Sequence, residues 1–290
     1  MEAKLIVAGA TGYLGTRLRA RLPPRRLAGV VTRRPLGDVA AQQWLIAEGA
    51  IEPVAPVAGA RDLVLVNLIG SGRGHRSRDI YDGNVGAALM LVDFARKIGI
   101  RRIVHMSGFG VGPSTSSAYF QAKREAEEVI RGSGLEYAIL RCSYILGGRD
   151  EFRSWILSET KTGAIGVPGS GDYRIQPLYV DDLVRCLIAF AEADGRLAET
   201  ADFLGEPIGF ADFLEKLLAR LGLVAPIRHE SVEALVKAAV KEADPTFSLD
   251  ELGILLCDIV GEWTREVRGV RPRSAAEVIE AIAAEFGEPG

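Results

Sequence analysis

The chain has 290 residues, of which 48% are hydrophobic and 25% charged, and its formal net charge is −3. That length allows one large α/β domain or a core with a smaller appendage, and the composition is that of a globular protein. The small acidic excess excludes wholesale attraction to nucleic acid or to an anionic membrane surface. No apolar run reaches the roughly 18 residues that a membrane span requires. Because the sequence enters a strand pattern by Lys4, without a basic and apolar leader, we expect a cytoplasmic protein.

The cysteines and histidines indicate no metal site. Cys142, Cys186 and Cys257 are an odd number without a C-x-x-C spacing, so neither a disulfide framework nor a zinc site is expected. His75 and His229 have no cysteine or carboxylate at metal-ligand spacing.

Strand-like and helical runs alternate along the first two-thirds of the chain. In chain order the pattern predicts a strand at 4–8, a helix at 13–22, strands at 27–32 and 61–69, a helix at 79–98, a strand at 101–107, a helix at 118–131 and a strand at 136–141. Continuous apolar strands separated by helices predict a parallel sheet covered on both faces. With right-handed crossovers, this is an α/β fold with a doubly wound parallel sheet, the Rossmann fold.

The rhythm changes after Gly147. The pattern then predicts a helix at 152–160, a strand at 178–180, a helix at 181–193, a return to the sheet at 201–204, and helices at 210–221, 232–241, 249–260 and 275–286. We therefore expect a Rossmann domain made of residues 1–146 and 172–205. Residues 147–171 and 206–290 should form a smaller, mostly helical C-terminal substrate lobe.

A glycine-rich turn follows the first strand directly and opens the first helix. Its sequence is Gly9-Ala10-Thr11-Gly12-Tyr13-Leu14-Gly15. The first glycine permits a tight turn, the second lets the backbone approach a pyrophosphate, and the third allows close packing of helix on strand. Exposed N–H groups at the helix N-terminus then hold the phosphates. The pattern predicts dinucleotide binding by this turn.

The ends of the strands at 27–32 and 61–69 refine the cofactor prediction. The second strand ends Thr32-Arg33-Arg34, with two guanidinium groups where NAD-binding proteins place an acid for the ribose 2′-hydroxyl. We therefore favour NADP(H), with NAD(H) as the alternative if these arginines form only a solvated loop. The strand at 61–69 leads into Asn67-Leu68-Ile69-Gly70, which should line the adenosine half of the cofactor. The basic, glycine-rich loop at 71–78 is interpreted as a solvated loop, the alternative being a lid for an anionic substrate.

A candidate catalytic set lies at the end of the strand at 101–107 and in the helix after it. Ser107 ends that strand after Met106, and Tyr119 and Lys123 stand four residues apart on one face of the next helix. A phenol is a weak base at neutral pH, and an adjacent ammonium favours its ionised form. The serine hydroxyl could hydrogen-bond a substrate carbonyl or alcohol.

Together, Gly9-x-x-Gly12-x-x-Gly15, Ser107, Tyr119-x-x-x-Lys123 and the LRCSYILG run at 140–147 resemble the short-chain dehydrogenase/reductase superfamily. Within it, residues 1–205 are most similar to the NAD(P)-dependent epimerase/dehydratase branch. They especially resemble the NADPH-binding accessory subunit of respiratory complex I, and NmrA-like redox-sensing proteins are close in style.

The resemblance implies a role for each matching residue. Tyr119 would be the general acid/base, Lys123 its activator and ribose anchor, and Ser107 a substrate-orienting group. The cofactor would also be lined by Met106 and, beside the nicotinamide, by Cys142, Ser143, Tyr144 and Ile145. Asn84 would match the asparagine of the preceding helix. The chain departs from the family by lacking its adenine-binding acid pair at 52–56 and by carrying Cys142 where proline is commoner.

Two functions fit these residues. The first is an NADP-dependent oxidoreductase or epimerase acting on an alcohol or carbonyl of a small substrate, with nucleotide-linked and anionic substrates among the candidates. The alternative is a non-catalytic NADPH-binding accessory or redox-sensing protein with a protein partner. A monomer and a homodimer, the latter through the helices at 79–98 and 118–131, are both compatible with the sequence.

Overall fold

The computed structural model describes residues 2–47, 49–53, 63–70, 77–113, 115, 117–147, 149–241 and 246–286. Most of the loop at 71–78, with His75, and part of the segment at 52–56 lie outside these residues. The chain divides into two compact units. Unit 1 comprises Met1–Arg141, Val184–Asp202 and Val267–Val270, and unit 2 comprises Cys142–Leu183, Phe203–Glu266 and Arg271–Gly290.

Unit 1 is built on one large sheet with helices packed against it. Its strands are β1 (Lys4–Ala8), β2 (Leu27–Thr32), β3 (Gln42–Ala47), β4 (Ala50–Pro53), β5 (Leu63–Asn67), β6 (Arg102–Gly108), β7 (Glu136–Cys142) and β12 (Ala198–Phe203). Its helices are α1 (Tyr13–Arg21), α2 (Ser77–Tyr81), α3 (Ala87–Lys97), α4 (Ala118–Arg131) and most of α6 (Val180–Ala191).

The strand order confirms the doubly wound fold. Among the described residues the sheet runs β12-β7-β6-β5-β1-β2-β3-β4. β1 pairs in parallel with both β2 and β5, β2 with β3, and β5 with β6, whereas β3 and β4 form an antiparallel edge hairpin. The strand order reverses direction at β1, and in open α/β sheets the ligand crevice lies at that point, beyond the carboxyl ends of the strands.

Apolar side chains hold the sheet between its helices. Ile6, Leu65 and Ile103, on three adjacent strands, are fully buried in one cluster that also contains Leu91 of α3 and Ile130 of α4. Fully burying side chains of this size stabilises the fold by roughly 1.5 to 3 kcal/mol each.

The structure divides one predicted helix and adds one hairpin. Instead of a single helix at 79–98, α2 and α3 flank a π-helical turn over Asp82–Gly86. There the side chain of Asn84 donates a hydrogen bond to the carbonyl of Ile80 at 2.7 Å. The hairpin of β3 and β4 was absent from the prediction. The ring of Trp44 in β3 packs on Gly29 of β2, where a Cβ would lie 2.2 Å from it.

The chain returns to unit 1 near its end in a short turn. Val267 and Val270 form a bridge, and Arg268 and Gly269 between them have φ of +49° and +74°. The guanidinium of Arg268 lies 4.9 Å from the centre of the Phe190 ring and forms an ion pair with Glu199. This turn is therefore an integral part of unit 1.

Unit 2 is mostly helical with three two-stranded sheets among its described residues. Its elements are β8 (Tyr144–Leu146), α5 (Glu151–Thr162), β9 (Ile165–Pro168), β10 (Arg174–Ile175), β11 (Pro177–Tyr179), β13 (Ile208–Gly209), α7 (Phe210–Leu221), β14 (Ile227–Glu230), α8 (Val232–Lys241), α9 (Leu249–Leu256) and α10 (Ala275–Phe286). The expected Rossmann domain included 142–146 and 172–183, but both segments lie in unit 2. The reason is that β8 pairs in parallel with β11 in a small sheet of that unit. Across the described parts of both units, no helix has the length and apolarity needed to cross a membrane.

Candidate nucleotide-binding site

The glycine-rich turn after β1 has the tight conformation that its sequence predicts. Gly9 has φ of +80°, a left-handed conformation that favours glycine. Its N–H donates to the carbonyl of Val31 at 3.3 Å, and the N–H of Gly12 donates to the carbonyl of Gly9 at 3.1 Å. A Cβ on Gly9 would lie 3.0 Å from the carbonyl carbon of Leu68. The loops after β1 and β5 are thus in backbone contact.

Gly12 and Gly15 play different parts at the start of α1. A Cβ on Gly15 would lie 2.2 Å from the carbonyl oxygen of Gly9, so only glycine lets the helix pack this closely on the turn. A Cβ on Gly12 would have only that same oxygen nearby, at 3.4 Å, and otherwise open space. Leu14 is buried beneath the turn, Tyr13 is half-buried, and Thr11 and Gly12 are exposed.

The N-terminus of α1 is open to an anion. Gly12 is its N-cap, no side chain caps the helix, and its first turn holds no acidic residue. The first N–H groups of a helix have no acceptor within the helix, and the helix dipole makes this end electropositive. This turn therefore has the geometry and charge of a phosphate cradle.

The turn after β2 presents two arginines. The buried hydroxyl of Thr32 donates to the carbonyl of Arg34 at 2.7 Å, so Thr32 serves to fix the turn. The side-chain amide of Gln43 braces the same turn, since it both donates to the carbonyl and accepts from the N–H of Leu36, each at 2.8 Å. Arg33 and Arg34 themselves are exposed. Both guanidinium groups thus extend from a fixed backbone.

Asn67 at the end of β5 is a structural brace. It is fully buried, its amide oxygen accepts from the N–H of Ile69 at 3.0 Å, and its amide nitrogen lies 3.0 Å from Nδ1 of His105. Because the oxygen is already an acceptor, the nitrogen donates to Nδ1, which leaves the His105 proton on Nε2. Burial, reinforced by the charge of Lys123, lowers the pKa of His105 to about 3. His105 is therefore a neutral core residue of β6.

Tyr119 and Lys123 lie together at the carboxyl ends of β5 and β6. Lys123 is 1% exposed, and its ammonium donates to the carbonyl of Met106 at 3.2 Å. The same Nζ lies 5.7 Å from the centre of the Tyr119 ring. A Cβ on Gly70 would lie 2.7 Å from it. The structure thus brings Tyr119, Lys123, Met106 and Gly70 together, as expected for one site.

Ser107 lies beside Glu127, a residue that the sequence analysis did not single out. Burial alone would raise the pKa of Glu127, but hydrogen bonds from Arg141 and Arg131, together with the nearby Ser107 hydroxyl, outweigh it and lower that pKa. Glu127 stands eight residues after Tyr119 on α4, which is about 12 Å along the helix axis. The Ser107 hydroxyl itself is buried and has no hydrogen-bond partner among the described residues. The available signal was the four-residue step from Lys123 to Glu127, which puts both on one helix face.

The predicted nicotinamide-flanking residues belong to unit 2. Cys142 is buried, and the hydroxyl of Ser143 accepts from the N–H of Gly205 at 3.2 Å. Tyr144 and Ile145 are half-buried in β8, and burial raises the pKa of Tyr144 to about 12. Among the described residues, no three histidine, cysteine or acidic side chains come together as a metal site.

Comparison with known proteins identifies the family. A model described as NAD(P)H-binding matches residues 9–163, more than half of the chain. The chain belongs to this NAD(P)H-binding family. The match begins at Gly9, the first residue of the phosphate cradle.

Two curated relatives are similar in sequence. NADH dehydrogenase (ubiquinone) 1 alpha subcomplex subunit 9, mitochondrial, of Arabidopsis thaliana is 28% identical over 69% of this chain and 53% of its own length. Sterol demethylase protein B of Methylococcus capsulatus is 35% identical over 36% of this chain and 34% of its own length. The matched segment thus spans about half the length of the first relative and about a third of the second.

Solved structures share the fold. The UDP-glucose 4-epimerase of Thermotoga maritima, solved with UDP-glucose, has a TM-score of 0.72 at 17% identity and covers 98% of both chains. At that identity the likeness concerns the fold alone. The family match and the complex I relative confirm the expected resemblance to an NAD(P)H-binding family and to the complex I subunit.

Proposed function

We propose that this protein is an NADP(H)-dependent oxidoreductase, or an epimerase of related chemistry, acting on an alcohol or carbonyl of a small substrate. The observation that carries the proposal is the position of Lys123. A buried ammonium lies against the Tyr119 ring at the carboxyl ends of β5 and β6, where doubly wound sheets bind their ligands.

The residues of unit 1 fit a pyridine dinucleotide. The uncapped N-terminus of α1 would hold its pyrophosphate, and Arg33 and Arg34 would hold a ribose 2′-phosphate. Leu68, Ile69 and Gly70 would line the adenosine half, and Cys142 to Ile145 would flank the nicotinamide, as the family resemblance implies. When bound, the nicotinamide supplies a hydride acceptor or donor.

Tyr119 would act as the general acid/base that transfers the substrate proton. In the oxidation of an alcohol, its phenolate oxygen takes the hydroxyl proton while the hydride leaves the carbinol carbon, and a carbonyl forms. The neighbouring Lys123 ammonium favours the phenolate and is placed to hold the ribose. Ser107, whose buried hydroxyl has no hydrogen-bond partner among the described residues, would orient the substrate.

The cofactor assignment is tested by the double variant Arg33→Gln/Arg34→Gln. We expect its dissociation constant for NADPH to rise about 10- to 100-fold, because charge-assisted hydrogen bonds to the 2′-phosphate are lost. Binding of NADH should change little. The control Arg25→Gln/Arg220→Gln removes the same charge from two exposed arginines that pair with Glu2 and Glu280. Equal weakening of both dinucleotides would show that the arginines do not select NADP(H).

The second candidate is a non-catalytic NADPH-binding accessory or redox-sensing protein. The name of the Arabidopsis relative, a complex I subunit, favours it. This second function would require a protein partner. A monomer and a homodimer are compatible with both candidates.

Tyr119→Phe separates the two candidates. In the oxidoreductase it abolishes turnover and leaves NADPH binding intact, since only the proton-transferring oxygen is removed. The substrate panel should contain nucleotide sugars, simple ketones and, because of the name of the Methylococcus relative, sterol ketones. A wild-type protein that binds NADPH, turns over none of these and retains a partner only with NADPH present is the accessory protein.

A further inference from the structure

Six aromatic side chains of unit 2 form a continuous cluster. Trp155 stacks on Phe210 with ring centres 6.3 Å apart, and Tyr173 stacks on Phe210 at 5.5 Å. Phe152 lies 5.5 Å from Trp155, and Phe247 meets Trp155 edge-on at 6.3 Å. Phe213 adjoins Phe152 at 6.0 Å. We call these six residues the aromatic cluster.

The local sequence places these rings together. Phe152 and Trp155 are three residues apart on α5, as are Phe210 and Phe213 on α7, so each pair shares a helix face. Tyr173 lies at the N-terminus of α7, because the carbonyl of Tyr173 accepts a hydrogen bond from the N–H of Phe210 at 2.9 Å.

The aromatic cluster has a buried base and a half-buried rim. Phe210 and Phe213 are 6% and 0% exposed and form the base. Four rings keep part of their surface in contact with solvent: Phe152, Trp155, Tyr173 and Phe247. Partly exposed aromatic rings grouped in this way are typical of ligand sites, which combine apolar walls with a few polar groups.

Two polar atoms of the rim lack a hydrogen bond. Among the described residues, Nε1 of Trp155 and the hydroxyl of Tyr173 are buried without a hydrogen-bond partner. Leaving such a group unpaired is destabilising, so two in one cluster call for an explanation. The indole N–H can only donate, and therefore requires an acceptor.

The two arginines beside the aromatic cluster contact other residues. Arg174 forms an exposed ion pair with Asp258, and Arg153 covers the ring of Phe286 and donates to the carbonyl of that residue through Nη2, while its Nε has no partner among the described residues. Burial, followed by the proximity of Tyr144, raises the pKa of Tyr173, so its hydroxyl stays protonated at neutral pH. The polar groups on offer are therefore neutral hydrogen-bond donors.

We propose that the aromatic cluster binds a neutral, flat, ring-bearing molecule whose carbonyl oxygen accepts a hydrogen bond from Trp155 or Tyr173. Such a ligand would lie on the partly exposed faces of the rim rings and stack on them in the offset or edge-on arrangements that aromatic side chains prefer. Its binding does not depend on the proposed function.

The test is calorimetric titration of the full chain with androst-4-ene-3,17-dione, a neutral tetracyclic diketone, and with UDP-glucose as a polar, anionic comparison. We expect the dione to bind and UDP-glucose not to bind in the absence of NADPH. Tyr173→Phe keeps the ring and removes the donor, whereas Trp155→Phe keeps an aromatic ring but removes the donor and part of the indole; each should weaken dione binding about 3- to 10-fold. The melting temperature of Tyr173→Phe without ligand should stay equal or rise, because an unpaired buried polar atom has been removed.

Two variants serve as controls. Trp263→Phe removes another unpartnered buried indole N–H of unit 2, from a ring with no stacking contact to the aromatic cluster among the described residues. Tyr137→Phe removes a hydroxyl from unit 1. Neither should change dione binding. Absence of dione binding, or binding that Trp155→Phe and Tyr173→Phe leave unchanged, would overturn the proposal. NADPH binding measured on the same preparations reports separately on the proposed function.

Discussion

The guanidinium of Arg141 and the carboxylate of Glu127 form a two-point ion pair, with Nε to Oε1 at 2.9 Å and Nη2 to Oε2 at 2.7 Å. Arg131 adds a third contact to the same carboxylate at 2.7 Å. Glu127 has no exposed surface, whereas the two arginines keep about a quarter of theirs. The pair ties α4, which carries Tyr119 and Lys123, to β7.

Glu127→Gln should lower the free energy of unfolding by about 3 kcal/mol at pH 7, because two guanidinium groups lose their buried counter-charge. The lowered pKa of Glu127 means that its stabilisation is present above the unfolded pKa and is lost as the pH falls through the folded one. The difference between wild type and variant should therefore shrink below about pH 4.5. Urea denaturation at several pH values measures it. Glu128→Gln, which changes an exposed partner of Arg131, should cost under about 1 kcal/mol; equal effects would contradict the role given to Glu127.

His105→Gln should flatten the dependence of stability on pH. The folded pKa of His105 is about 3, far below its ordinary value of 6.5, so the unfolded chain takes up the proton first as the pH falls. The wild type therefore loses stability from pH 6.5 downward, by up to about 1.4 kcal/mol per pH unit for this one group. Glutamine does not titrate and can still accept from Asn67. Urea denaturation between pH 7.5 and 4.5 should show a smaller slope in the variant, while the exposed His229→Gln keeps the wild-type slope. An unchanged slope in His105→Gln would show that this histidine is not buried neutral.

Substitutions of Gly12 and Gly15 should distinguish an effect on NADPH binding from an effect on folding. Gly12→Ala has room for its methyl group within the protein, so the melting temperature should be kept. NADPH binding should weaken at least about 10-fold, because the methyl group occupies the path of the pyrophosphate. Gly15→Ala overlaps the Gly9 carbonyl and should destabilise the fold by about 2 to 3 kcal/mol. Gly37→Ala, with open space around it, is the control for both. Fluorescence titration and thermal melts distinguish the outcomes, and normal NADPH affinity in a folded Gly12→Ala protein would argue against a cradle.

Gly70→Ala should disturb Lys123 without unfolding the protein. The new methyl group would lie 2.7 Å from the Lys123 ammonium and 3.1 Å from the Asn84 amide oxygen. A lysine side chain can yield, so the loss of stability should stay below about 1 kcal/mol. The displaced ammonium should lower turnover, or NADPH affinity if the protein does not turn over substrate, about 10-fold or more. Gly112→Ala, which has no neighbour within 4 Å, should leave both unchanged.

Local signals in the sequence were sufficient for the core of unit 1. The turn from Gly9 to Gly15, the parallel strands around β1 and the adjacency of Tyr119 and Lys123 all follow from short spacings, and the structure has each of them. The ion pair of Glu127 and Arg141 could not be predicted in the same way, because these two residues meet only after α4 has packed against the sheet.

Two other features depend on long-range pairing. Residues 142–146 were expected in the Rossmann domain, but β8 pairs with β11, more than thirty residues later, in a separate sheet. Its assignment to unit 2 is a property of that pairing and not of its own residues. The hairpin of β3 and β4 escaped prediction because only the paired partner makes such a short, half-polar run a strand.

The return of the chain to unit 1 at Val267–Val270 affects the order in which the protein is made. On the ribosome, Phe190 and Glu199 are synthesised about seventy to eighty residues before Arg268, the side chain that covers one and neutralises the other. The nucleotide-binding unit therefore cannot acquire its final set of contacts until nearly all of the second unit has emerged from the exit tunnel. A gene fragment that stops after β12 encodes every strand of the large sheet but not the turn that completes it.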